Sequence, residues 1–378
     1  MKKFVLIPDS FKGTLSSQEN CQIMASSIRN HFKESEIISI PIADGGEGSV
    51  DCFLSALGGD KITTTCNGPF MNEIESFYGL LSDKKTAVIE MASAAGLPLV
   101  ENNKNPLLTT TYGVGELILS AVKNGAKELI IGLGGSCTND FGCGAAAACG
   151  IKFFDKNDKE FVPVGKTLID IERIDFSHKS QLLNNIKITT MCDIDNPPYG
   201  EQGASHVFAP QKGASEQDVL LLDRGVKHLC ELLFSKYNVD VRNLSGGGAA
   251  GAMGAGMVAF FNSQLKMGID TVLDLVNFDK IIQSADAIFT GEGKIDSQSL
   301  RGKVVIGVAK RAKPHKVPVI AIVGGADGDM AQAYDFGVTS IFTINKLPQD
   351  FSISKNFSKE NFKFAIDNIL KTLKAFQS

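Results

Sequence analysis

The sequence predicts an α/β protein of two domains, one built on a doubly wound parallel sheet and a second α/β domain with a mixed sheet inserted into it. Three observations predict it. Both ends of the chain alternate strand-like apolar runs with amphipathic helical stretches at the pace of βαβ units. The middle carries a β-hairpin pattern, which rarely belongs inside a doubly wound sheet. The length, 378 residues, accommodates two cores at roughly 100 to 200 residues per domain.

The chain opens with FVLIP (4–8), a continuous apolar run bounded by Asp9 and Ser10, as a buried parallel strand requires. Ser16 and Glu19 have capping-box spacing, and Cys21, Met24, Ala25, Ile28 and Phe32 then form the apolar face of a helix. IISIPI (37–42) is the next strand. Residues 75–91 read as a hairpin around a Ser-Asp-Lys-Lys turn, followed by a helix over 113–124, a strand at 128–133, a Gly/Ala helix after 140, a strand at 186–192 and a helix over 215–236. The last hundred residues return to the opening grammar: strand 285–290, helix 303–312, strand 318–323, helix 329–336, strand 339–344, and a covering helix over 360–376. The expected domains are residues 1–65 with 284–378, and 66–283 between them.

Composition excludes several classes. Lys plus Arg number 38 and Asp plus Glu 42, a net charge of −4, so no basic field exists to hold a nucleic-acid backbone. No stretch of 18 apolar residues suggests a membrane span, and the opening apolar run is too short for a secretion signal. Eight scattered cysteines form no C-x-x-C pair and read as small buried hydrophobes in a reduced, cytoplasmic protein. No histidine stands in a Ser-His-Asp pattern. Glycine is the departure, at 38 residues against a usual ~7%, and it clusters at strand ends, where parallel sheets bind ligands.

Asp9-Ser10-Phe11-Lys12-Gly13-Thr14 can hold a phosphate or carboxylate with Lys12 as point charge, or form a capped turn with a solvated lysine. Asp44 and Glu47, three apart among glycines, suit magnesium, or cap the following helix. Gly134-Gly135-Ser136-Cys137-Thr138 after a strand and before a helix is the recipe for a phosphate cradle, or a tight packing turn. It is no Walker A loop. Gly246-Gly247-Gly248-Ala249-Ala250-Gly251 fits G-x-G-x-x-G formally, but the preceding DVRNLS is too polar for a buried strand; a close-packed small-residue helix or an anion-binding helix start are the alternatives. Residues 290–303, with Glu292, Asp296, Arg301 and Lys303, gather acids and bases that a structural loop has no need of. Asp193, closing a strand before Asn-Pro-Pro, suits a metal or an acceptor proton, or an Asx turn.

Taken together and in order, PDSFKGTLSS, IADGGEGS, TTYGVGELI, IGLGGSCTNDFGCG, CDIDNP, PQKGAS, GGGAAGAMGAG and TGEGKIDSQSLRGKV resemble the glycerate kinase type 1 family of bacteria, from Lys3 to about Val323. The resemblance implies a flavodoxin-like domain and a second α/β domain likened to restriction enzymes. It implies ATP- and Mg²⁺-dependent phosphorylation of D-glycerate to 2-phosphoglycerate in a cleft between the domains, which closes to exclude water. The ATP phosphates are then expected on Gly134, Gly135, Ser136 and Thr138, with Gly246, Gly247 and Gly248 in support. Mg²⁺ falls to some of Asp44, Glu47, Asp193, Glu292 and Asp296. Ser10, Lys12 and Arg301 are expected at the glycerate carboxylate, and Asp193 or Asp296 at its hydroxyl, with Lys12 as the catalytic cation. Cys137 and Cys143, where small residues are usual, leave thiol reactivity open. A sugar-phosphate isomerase or a non-enzymatic metabolite sensor are the rival readings. Nothing in the residues decides between a monomer and a homodimer.

Overall fold

The computed structural model describes residues 1–11, 13–42, 46, 48–296 and 299–376. In chain order its strands are β1 (Lys3–Pro8), β2 (Glu36–Ser39), β3 (Gly59–Asn67), β4 (Glu73–Leu81), β5 (Thr86–Glu90), β6 (Glu128–Gly132), β7 (Lys152–Phe154), β8 (Glu160–Phe161), β9 (Arg173–Asp175), β10 (Lys187–Met191), β11 (Gln264–Lys266), β12 (Ala287–Ile295), β13 (Val319–Ala326) and β14 (Val338–Thr343). The chain divides into two units: Met1–Asp44 with Ser55–Leu57 and Met267–Ser378, and Gly45–Leu54 with Gly58–Lys266.

The first unit holds five parallel strands in the order β14-β13-β12-β1-β2. Counted within the unit this is 2-1-3-4-5, the flavodoxin-like order. Phe4, Leu6, Phe289 and Ile322 on one sheet face are covered by Met24 and Ile28 of the helix Ser17–His31 and by Phe362, Ile366 and Leu370 of the helix Ser358–Ala375. The expected capping box starts the first of these helices: the Glu19 N–H donates to Ser16 Oγ at 3.1 Å, and the Ser16 N–H to Glu19 Oε2 at 2.9 Å.

The second unit is a mixed sheet, β11-β10-β6-β5-β4-β3, with β5, β6, β10 and β11 parallel and β3 and β4 antiparallel. A small antiparallel sheet, β8-β7-β9, lies beside it in sequence. The units part at 45 and 266, where the sequence suggested 65 and 283. The reason lies in pairing and packing. β3 pairs with β4 along its whole length, whereas the helix Gly268–Leu275 turns Ile269 onto Gly307 of the first unit. Among the described residues no helix is long and apolar enough to cross a membrane.

Candidate active site

Parallel strands deliver their C-terminal loops to one sheet edge, and register aligns those of the second unit: Glu90, Gly132 and Met191 stand side by side at the ends of β5, β6 and β10. The loop 133–142 leaves β6 and is pinned throughout by backbone bonds. The Leu97 N–H donates to the Gly135 carbonyl at 2.9 Å, the Cys137 N–H to Ala95 at 2.9 Å, and the Phe141 N–H to Gly251 at 3.1 Å. Asp140 is fully buried and accepts the Thr111 N–H at 2.7 Å, the Thr111 hydroxyl at 2.8 Å and the N–H groups of Gly142 and Gly144, both at 3.2 Å. Burial nonetheless raises its carboxyl above the ordinary value. It organises the start of the helix Cys143–Ala148.

The glycine segment after 245 closes the back of this loop. The sequence allowed a regular small-residue helix here, but Ala250 (φ 54°), Gly251 (φ 65°) and Ala252 (φ 66°) are all left-handed before the helix settles. Three such residues in a row cost conformational energy, and two of them are not glycine. Contact explains them: a Cβ on Gly251 would lie 2.2 Å from the Thr138 carbonyl oxygen. Gly246, Gly247 and Gly248 are buried, and the Gly248 N–H donates to the Asn196 carbonyl at 2.9 Å while Cys192 Sγ donates to the Gly246 carbonyl at 3.4 Å. The glycine loop, the CDIDNP segment and the triple glycine thus form one assembly at the strand ends, with Gly134 half-buried, Gly135 exposed and Ser136 and Thr138 buried. Asp193 is half-buried beside it.

Two residues of this assembly carried no functional expectation. Lys212, on the turn Pro210–Lys212, is 1% exposed and donates from Nζ to Ser136 Oγ at 2.8 Å and to the Thr138 carbonyl at 2.7 Å. Glu90, 3% exposed, accepts the Val50 N–H at 2.6 Å on Oε1, at the start of the helix Ser49–Leu57. Their buried setting was the missing signal: PQKGAS belonged to the family resemblance without a role for Lys212, and Glu90 closed an ordinary strand run. Thr138 Oγ1 and Asn139 Oδ1 are buried with no hydrogen-bond partner among the described residues.

In the first unit the acid-rich loop grows from an extended β12, where Glu292 lies beside Val323 in register. Glu292 is 5% exposed, and its Oε1 has no hydrogen-bond partner among the described residues. Burial pushes its pKa up to about 7; Ser299 and Lys303 act against that, while the carboxylates of Asp9 and Asp296 add to it. Asp9 follows β1, with its N–H donating to the Gly291 carbonyl at 2.8 Å and its own Oδ1 accepting the Ser10 N–H at 2.6 Å. Asp296 Oδ1 accepts the Ser299 N–H at 3.3 Å. A buried carboxylate oxygen without a partner, in the field of two more acids, is hard-oxygen chemistry that fits a divalent cation completed by phosphate and water oxygens. Among the described residues no three His, Cys, Asp or Glu side chains gather into a metal cluster.

Of the expected site residues, Lys12, Asp44, Glu47 and the Arg301 side chain lie outside the described residues. Glu292 near the end of β12 and Asp296 just beyond it lie in the first unit, as do Asp9 and Ser10 after the neighbouring β1, while Asp193 and the glycine residues belong to the second. Thiol reactivity at Cys137 and Cys143 is not supported: both are buried, Cys137 is pushed up to about 12, and Cys143 is raised well above the usual thiol range.

Comparison with known proteins agrees across the whole length. A sequence profile of the glycerate kinase family matches residues 4–374. The chain is 43% identical to a glycerate kinase of Bacillus cereus (strain ATCC 10987 / NRS 248), covering 97% of each, and 40% identical to the glycerate 2-kinase of Escherichia coli (strain K12), covering 98% of this chain and 95% of that one. The crystal structure of a Salmonella typhimurium LT2 protein described as a glycerate kinase 2 superposes with a TM-score of 0.88 at 37% identity, covering 100% of this chain and 99% of that one. The chain therefore belongs to the glycerate kinase family, whose members are enzymes.

Proposed function

We propose that the protein transfers the γ-phosphoryl group of ATP to the 2-hydroxyl of D-glycerate, giving 2-phosphoglycerate and ADP. The family match over residues 4–374 carries this reading, and the E. coli relative's name supports the 2-position. It favours the kinase over an isomerase or a sensor.

Phosphoryl transfer needs little covalent help; it needs alignment and charge neutralisation. Gly134 and Gly135 offer backbone N–H groups, and Ser136 and Thr138 hydroxyls, to the ATP phosphates, with Gly246 to Gly248 in support. The partnerless Thr138 Oγ1 supports this assignment, since a phosphate oxygen would satisfy it. Ser10, Lys12 and Arg301 bind the glycerate carboxylate, fixing the 2-hydroxyl in line. Asp296 or Asp193 accepts that hydroxyl's proton as the bond to phosphorus forms. Mg²⁺ would be held by some of Asp44, Glu47, Asp193, Glu292 and Asp296, and would supply neutralisation of the phosphate charge during transfer.

The base assignment is tested by Asp296→Asn and Asp193→Asn, each assayed for D-glycerate-dependent ADP release. The base should lose about 10²-fold or more in kcat, and full turnover in both variants would reject both assignments.

A further inference from the structure

Lys212 is an unusual lysine. Its ammonium is buried with no paired carboxylate: Asp140, whose charge bears on it from the same loop, is committed to the Thr111, Gly142 and Gly144 donors. Two of its three N–H groups are used, on Ser136 Oγ at 2.8 Å and the Thr138 carbonyl at 2.7 Å, and the third has no partner among the described residues. A desolvated, unpaired cation is costly. A neutral side chain could strut the loop at less cost. A second observation points to the same ligand chemistry: the hydroxyl Thr138 Oγ1, on a fully buried residue of this loop and able to donate to a phosphate oxygen, has no hydrogen-bond partner among the described residues.

We infer that Lys212 is a positioning residue for the nucleotide, fixing Ser136 and Thr138 from beneath and supplying the positive charge that the terminal phosphates meet through that loop. The inference rests on the assignment of this loop to ATP. It adds a cation where the sequence offered only neutral groups.

Charge distinguishes this role from a strut. Burial lowers the Lys212 amine from 10.5 to about 8, and the groups facing it are Asp140 and the Cys137 thiol, itself pushed up to about 12 and therefore neutral. An arriving anion favours the ammonium and raises its pKa. Nucleotide affinity is therefore full below about 8 and declines as the pH rises beyond it, in a range where phosphate groups with a second pKa near ~6 are already fully ionised. The ligand-free fold responds with the opposite sign. Between about 8 and 10.5 the native state sheds this proton while the unfolded chain keeps it, so this group makes the fold more stable as the pH rises.

The test measures ATP binding by calorimetry at fixed magnesium from about pH 7.5 to 9.5, for the wild type and Lys212→Met, with a thermal melt of each ligand-free protein. The wild type should lose about tenfold in affinity across that range while its ligand-free melting temperature does not follow the loss. Lys212→Met should bind about tenfold more weakly at the low end and show no pH dependence, with KM for D-glycerate changed less than about twofold. Wild-type affinity and pH profile in Lys212→Met would overturn the inference and leave the kinase reading standing. Should that variant fail to fold, a flat wild-type profile overturns the inference by itself. No ATP binding by the wild type at any pH would instead reject the nucleotide reading, and the inference with it.

Discussion

Ala250, Gly251 and Ala252 are three consecutive left-handed residues in the second unit. Their substitutions should separate strain from contact. Gly251→Ala places a methyl 2.2 Å from the Thr138 carbonyl, where backbone must move, so it should lower stability by about 2 to 4 kcal/mol and abolish nucleotide binding, measured by chemical denaturation and calorimetry. Ala250→Gly relieves a left-handed alanine at the cost of a looser unfolded chain, two effects of about 1 kcal/mol that nearly cancel, and should leave both measurements unchanged. In the first unit, Mg²⁺ should raise the melting temperature of the wild type in the presence of ADP, and chelation should reverse it; in Glu292→Gln, which replaces the partnerless oxygen's carboxylate by an amide, the shift should vanish. An equal shift in that variant would remove Glu292 from the metal site. At this scale the sequence was half legible. Glu292 and Asp296 stood out because charge clustered in an apolar context demands explanation, and Ser136 and Thr138 because hydroxyls followed a glycine turn. Lys212 and Glu90 did not stand out, because their significance is burial, and burial is a property of residues distant in the chain: Lys212 meets a loop more than seventy positions earlier.

Secondary structure followed local pattern where pattern was strong. The hairpin read around Ser82 to Lys85 is the antiparallel pair β4 and β5, with Gly79 opposite Val88. The helix expected to begin near 215 starts at Glu216 with Ser215 as N-cap, its hydroxyl accepting the Asp218 N–H at 3.3 Å. Ser215→Ala should therefore cost about 1 kcal/mol in chemical denaturation. β3 escaped notice because GDKITTTCN is mostly polar; it is an edge strand, exposed along much of its length, and its register is set by β4. The helix Tyr112–Lys123 shows what its glycines are for. A Cβ on Gly115 would lie 2.3 Å from the Ala145 carbonyl, so this helix crosses the helix Cys143–Ala148, which follows the loop 133–142, at backbone contact. Gly115→Ala should lower the melting temperature markedly and weaken nucleotide binding with it. Retained stability with lost binding would mean that the helix moves instead of the loop.

The two units have separate hydrophobic cores and different sheets, and the chain passes from the first to the second and back. The flavodoxin-like order was legible as a class from alternation at the two ends, but the placement of β12 between β1 and β13 is a product of long-range pairing that no local pattern encodes. Electrostatics sets the acid limit of the whole protein. Asp83, Asp279, Asp286 and Asp367 are held below the usual 3.8, although burial works against this in each, by hydrogen bonds from Thr86, Arg311, the Lys2 and Lys3 N–H groups, and Lys363. Depressed carboxylates stabilise above their unfolded value, and that contribution is lost as the pH falls through the folded one. Glu90 and Asp140, raised mainly by burial, act in the opposite sense: their contribution declines as the pH climbs above 4.5 and 3.8 respectively. The ligand-free melting temperature should accordingly pass through a maximum in mildly acid solution and fall steeply below about pH 4, which a scanning series checks. The reaction proposed for this protein is transfer of phosphoryl to the 2-hydroxyl of D-glycerate. Phosphorus-31 NMR of the product formed from D-glycerate and MgATP, recorded with proton coupling, tests it most directly. Transfer to the 2-hydroxyl gives a doublet from phosphate on a CH carbon; a triplet from phosphate on CH2, or no glycerate-dependent product at all, would contradict it.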